Sequence, residues 1–141
     1  MKAAKNEKEA IKCLNEALAW EIRGALMYAH YAAYLVGRER LDFEEYFSGE
    51  STESMGHAKK VRQIIADLGG KAVTAPAATA IADVRDVNKM LGEALKTEEA
   101  AEAKYREALA LFEHQTAWHH ELRHIMMAEE NAQLEIRRLM K

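Results

Sequence analysis

Four long stretches of this chain place apolar residues three and four positions apart, the spacing that lines one face of an α-helix. In the first, about Asn6 to Val36, the stripe is Leu14, Leu18, Glu21, Ala25, Tyr28, Ala32 and Leu35, and Gly37 is a plausible stop. In the second, about Asp42 to Leu68, it is Phe47, Glu50, Ser54, His57, Val61, Ile64 and Leu68, with Asp42 as the expected N-cap and Gly69 and Gly70 as the end. The third, about Val84 to Phe112, carries Val87, Leu91, Ala94, Glu98, Ala101, Tyr105, Ala108 and Phe112. The fourth, about Thr116 to Met140, carries Trp118, Leu122, Ile125, Glu129, Ala132, Ile136 and Leu139. Seven Gly and one Pro in 141 residues leave little turn chemistry for a strand-rich fold.

The connections set the topology. Those joining the first and last pairs are short, so each pair is an antiparallel hairpin. The segment 69–83 is rich in Ala, Thr and Val, contains Pro76, and reads as a long crossover. An all-α four-helix bundle of two antiparallel hairpins joined by a long crossover follows, as a single domain over 1–141. The length suffices to bury a core without staples, and one cysteine, Cys13, excludes an intramolecular disulfide. A net charge of −3 with no basic stripe argues against nucleic acid. The opening stretch lacks an apolar signal core, and the uncharged run from Gly24 to Gly37 is too short to span a bilayer. A cytoplasmic protein with no membrane or nucleic-acid partner is the expectation.

What interrupts the stripes is more informative. Each helix places an ionisable residue where its core stripe calls for an apolar one: Glu21, then Glu50 and His57, then Glu98, then Glu129. Glu21 precedes Gly37 by about as many residues as His57 follows Asp42, and Glu98 and Glu129 stand similarly about the second turn. The groups therefore share one level of the bundle. Several carboxylates buried together repel and lose hydration, at a cost of several kcal/mol each. Either some are protonated or paired, or a cation sits among them. No Lys or Arg lies on the stripes. Carboxylates with imidazole suit iron, manganese or zinc.

The residues also resemble a known family. The run from Leu14 to Glu21 with Tyr28, the run Glu50-Ser51-Thr52-Glu53-Ser54-Met55-Gly56-His57-Ala58, the pieces Met90-Leu91, Leu95 to Glu98 and Arg106 to Ala108, and Glu129-Glu130 are similar to the four helices of bacterioferritins, within the ferritin-like superfamily. That resemblance implies a di-iron site built from one Glu on each of two helices and Glu-x-x-His on the other two. Carried over, Glu21, His57, Glu98 and Glu129 match ligands, and Tyr28 matches a tyrosine beside the site. Ser54 stands where the second-helix Glu belongs and Ala132 where the fourth-helix His belongs, so the motif is degenerate. Glu53, at i,i+4 from His57, or Glu50 would complete the site on the second helix, and Glu130 neighbours Glu129.

The resemblance implies oxidation of ferrous iron, or di-iron oxidoreduction with oxygen or peroxide, in which Tyr28 donates an electron or a hydrogen bond. The alternative is a metal- or haem-binding protein with a decayed site and no rapid turnover. Met55 matches a haem-binding methionine at a subunit two-fold, against the plainer reading of an interface methionine. The short fifth helix of bacterioferritins has no counterpart before Lys141, which favours a homodimer or another homo-oligomer over a full storage shell.

Three further features are weighed on the residues alone. His120-Glu121-Leu122-Arg123-His124 reads as the zinc-protease pattern, but Leu122 and Ile125 hold the core stripe, so its ligand residues point away from the interior. The same stretch, with His114 and His119, is a His-rich surface able to bind metal adventitiously or at a subunit contact. Trp20, Tyr31 and Tyr34 read as packing or interface residues, and Cys13 as unreactive.

Overall fold

A computed structural model describes Ala4 and residues 6–141; Met1 to Ala3 and Lys5, part of the expected domain, lie outside the described residues. Four helices make the all-α bundle expected: α1 (Glu7–Tyr34), α2 (Gly37–Asp67), α3 (Val87–Leu109) and α4 (Ala117–Leu139). Three of them start at side-chain caps. Asn6, Asp86 and Thr116 accept hydrogen bonds from the backbone N–H of Glu9, Lys89 and His119, satisfying donors that a helix start leaves unpaired.

α2 departs from its expected start. Asp42 is no N-cap: it lies inside the helix, which begins at Gly37 after a break at Leu35 and Val36. Gly37 has φ +63°, a left-handed conformation that reverses the chain at little cost without a Cβ. The first turn and a half of α2, residues 37–42, is exposed, with burial beginning at the half-buried Phe43. A stripe pattern detects only the packed part of a helix, which is why it pointed to Asp42.

The stripes are the buried faces. Leu14, Leu18, Phe47, Val61, Leu91, Tyr105, Leu122 and Ile136 are all at most 1% exposed. The buried apolar residues fall into two clusters. One gathers Leu14, Leu18, Val61, Ile65, Tyr105, Leu122 and Ile125, the other Tyr28, Tyr31, Phe47, Met90, Leu91 and Ile136. Glu21, Glu98 and Glu129, each at most 5% exposed, belong to neither and lie along the stripes between them.

α1 packs on α2 and α3, α4 packs on α3, and a looser α2–α4 contact closes the bundle. The crossover climbs α1 along residues spaced in fours. Asn15 donates to the carbonyl of Lys71 (2.9 Å) and accepts from the N–H of Val73 (2.9 Å). The carbonyl of Ala19 accepts from Ala77 N–H (2.9 Å). Arg23 donates to the carbonyls of Thr79 (2.7 Å) and Ala80 (3.0 Å) and to Thr97 Oγ1 (2.7 Å), and Tyr31 donates to the carbonyl of Ala82 (2.8 Å). This line along α1 delivers the chain to the start of α3 beside the end of α1, so α3 descends while α1 ascends. The order is up, down, down, up.

Arg23 is 3% exposed and neutralised by carbonyl and hydroxyl dipoles, with the Trp20 ring 5.1 Å from its guanidinium. We expect Arg23→Ala to lower unfolding free energy by about 2–3 kcal/mol, the loss of charge-assisted hydrogen bonds in a buried setting, and to speed proteolysis within residues 71–83. Urea titration and limited proteolysis measure both.

Candidate metal centre in the bundle core

Helical spacing brings three of the stripe-breaking residues to one point. Glu21 on α1, His57 on α2 and Glu129 on α4 each offer a ligand atom, and these atoms lie within 4.8 Å of one another. His57 Nδ1 is 3.0 Å from Glu21 Oε2 and 3.0 Å from Glu129 Oε1. Both carboxylates are 2% exposed. The Tyr105 hydroxyl donates to Glu21 Oε2 at 2.8 Å, anchoring it from α3.

A charged imidazole between two buried carboxylates is the arrangement that electrostatics requires when no other cation is at hand. Burial opposes the His57 charge, but the hydrogen bonds to Glu129 and Glu21 outweigh it and hold its pKa up at about 10. Burial and the neighbouring Glu129 charge raise Glu21 to about 8, against the pull of His57. Both shifts run the same way, so the cluster keeps a proton well above neutrality. That proton stands where a metal ion ligated by these three atoms would sit.

Other expected residues surround the cluster without joining it. Glu98 is 5% exposed, and its Oε1 accepts from the Tyr28 hydroxyl at 2.7 Å. Tyr28 is fully buried, and burial, followed by the nearby Glu50 charge, keeps its phenol protonated far above the usual range. Glu53 approaches the opposite face of the imidazole, its Oε1 3.7 Å from His57 Nε2, with about half of its side chain in solvent. Glu50 is half-buried, and burial together with Glu53 raises its pKa to about 7. Glu50, Glu53, Ser54, His57, Glu98, Glu129 and Ala132 line a crevice too narrow to admit a water molecule, so Ser54 and Ala132 stand beside the cluster. Glu130 turns outward to Arg106 at 2.6 Å.

Sequence reasoning missed two participants. Tyr105 was read as an apolar stripe residue, though a tyrosine two turns from Glu98 on the same face is a candidate partner for any buried acid. Tyr46 was not singled out; its hydroxyl is the one buried side-chain polar atom without a hydrogen bond among the described residues. His120 and His124 are exposed and Glu121 pairs with Lys60 at 3.3 Å, in keeping with an outward-facing decoy. Met55 is 52% exposed on the outer side of α2.

Comparison with known proteins follows the same line. A ferritin-like, diiron-carboxylate protein from Bacillus anthracis is 29% identical, with a TM-score of 0.84 over 96% of this chain and 97% of that one. The bacterioferritin-related protein of Bacteroides fragilis, described as a dodecameric thioferritin, is 22% identical, with a TM-score of 0.83 over 94% of this chain and 84% of that one. A Dps1 variant from Mycobacterium smegmatis, at 16% identity and a TM-score of 0.77 over 96% and 97%, shares the fold. Sequence comparison with curated proteins finds no significant match. Residues 11–141 match the family described as Ferritin-like domain, nearly the whole chain, and the chain belongs to that family.

Proposed function

We propose that this chain binds iron in its bundle core, with Glu21, His57 and Glu129 as the central ligands. The observation that carries this reading is the convergence of their ligand atoms from three helices. The donor set fits: one imidazole nitrogen and carboxylate oxygens suit iron, manganese or zinc. Membership of the ferritin-like family and the likeness to a diiron-carboxylate protein support iron among these. Glu98 and Glu53 complete the site, Glu98 from α3 and Glu53 at the solvent edge of α2, with Glu50 as the other candidate on that helix.

The activity proposed is oxidation of ferrous iron, the substrate, by oxygen or peroxide, with two ions bound together. Bound iron supplies the electrons; the chain supplies ligands and protons. His57 gives up its proton on binding, so Nδ1 becomes a donor. Tyr28 holds Glu98 in one orientation through its hydroxyl, and Tyr105 does the same for Glu21. A second reading, metal or haem held without rapid turnover, is favoured by Ser54 and Ala132, which bring fewer donors to the second ion than a full ligand set would. Met55 is the candidate haem ligand in that reading. A homo-oligomer is proposed in either case, and its exposed Leu26, Tyr34, Leu41 and Met55 are candidate contact residues. No helix among the described residues is long and apolar enough to cross a membrane, and we place the protein in the cytoplasm.

Anaerobic titration of metal-free protein with ferrous iron tests the site. We expect at least one equivalent bound tightly, and affinity at least tenfold weaker in His57→Ala and in Glu129→Gln. Unchanged binding in both variants would contradict the assignment. Rapid mixing with oxygen then separates the two readings. The enzyme reading expects fast oxidation at the protein that slows at least tenfold in Glu98→Ala; the binding reading expects no faster oxidation than in buffer.

The protonated cluster has a pH signature. The folded pKa values of His57 and Glu21 lie above their ordinary values of 6.5 and 4.5. Their stabilising contribution is therefore complete at low pH and is lost as pH rises through about 8 and about 10. Metal-free protein should lose stability between pH 7 and pH 10, with a smaller slope in His57→Gln, as thermal melts would show. Metal binding at pH 7 should release protons, measurable by calorimetry in buffers of different ionisation enthalpy.

A further inference from the structure

We propose a second metal site, chemically distinct from the core cluster, at the corner between α3 and α4, where His114, His119 and Met126 bind copper(I). His114 lies in the connection after α3 and His119 in the first turn of α4. Their ring centroids are 4.5 Å apart with planes tilted by 42°. Two imidazoles bound to one ion at ordinary metal–nitrogen distances, with a trigonal or tetrahedral angle between them, put their ring centres about 5 Å apart. The observed spacing needs little adjustment to reach that.

His119 is 8% exposed, and its ring has no hydrogen bond to the described residues. Its nitrogens are open to solvent, since the one sealed side-chain polar atom without a partner among the described residues is on Tyr46, and the ring lines an open pocket of about 340 Å³ together with His114, Met126 and Glu113. Burial and the neighbouring His114 and Arg123 charges favour its neutral form, the form that ligates a metal.

The donor chemistry selects the ion. Imidazole with thioether is a soft set that suits copper(I), whereas the core cluster is mostly carboxylate. Arg106 lines the pocket but is paired with Glu102 and Glu130, each at 2.6 Å, so its charge does not bar a cation and those carboxylates are engaged elsewhere. The rings are too close for linear two-coordination, so a further donor is required, and Met126, which lines the same pocket, carries a thioether.

The test is anaerobic titration of the full chain with copper(I) against a chromophoric copper(I) chelator. We expect one equivalent to be retained by the unaltered protein and by His57→Ala, which removes the core imidazole. Affinity should fall at least tenfold in His119→Ala and in His114→Ala; the latter changes an exposed residue, so its fold is preserved even where the buried change is harmful. Met126→Leu should weaken copper(I) while leaving zinc binding unchanged. The exposed pair His120 and His124 provides the decisive control. Retention that survives both His114→Ala and His119→Ala, or that is abolished by His120→Ala with His124→Ala, would overturn the proposal, as would loss of copper(I) with His57→Ala alone.

Discussion

The bundle is organised around a single electrostatic problem: carboxylates from three helices lie in the interior of an apolar core. An isolated buried carboxylate costs several kcal/mol, and neighbouring ones add repulsion. His57 resolves this by standing 3.0 Å from Glu21 and 3.0 Å from Glu129. Tyr105 and Tyr28 supply the remaining hydrogen bonds, to Glu21 and Glu98. Every helix contributes a residue, so the cluster fixes the relative height of all four. It also interrupts the core, which gathers into two apolar clusters rather than one.

That arrangement depends on a segment with no regular structure. Glu98 and Tyr105 reach the site only because α3 runs antiparallel to α1, and α3 takes that direction because the crossover ascends the α1 surface. Asn15, Ala19, Arg23 and Tyr31 hold the crossover with hydrogen bonds along its length. Arg23 ties the two roles together, since the same guanidinium that binds crossover carbonyls donates to Thr97, the residue next to Glu98. The polar side chains of α1 thus serve two faces, one toward the Glu21–His57–Glu129 cluster and one toward the crossover.

Much of this was legible in the residues. The stripes named the buried faces of all four helices, and their interruptions at Glu21, His57, Glu98 and Glu129 marked one level, because helical periodicity is a direct record of which side chains avoid water. The start of α2 was not legible, since its first residues are exposed and carry no packing signal. The Arg23 clamp was invisible for a related reason: its partners are backbone carbonyls, which leave no trace in residue identity. Tyr105 passed as apolar because a buried tyrosine and a buried phenylalanine occupy a stripe alike. Spacing brought Glu53 near His57 but could not tell that it meets the far nitrogen of the ring, a matter of side-chain direction.

The central claim is that a metal ion replaces the proton shared by His57, Glu21 and Glu129. Crystals of protein loaded anaerobically with ferrous iron, measured on both sides of the iron absorption edge, test it most directly. The account predicts an anomalous peak about 2.0–2.2 Å from His57 Nδ1 and within bonding distance of both carboxylates. Iron-loaded crystals with no peak there, and His57 still hydrogen-bonded to Glu21 and Glu129, would contradict it.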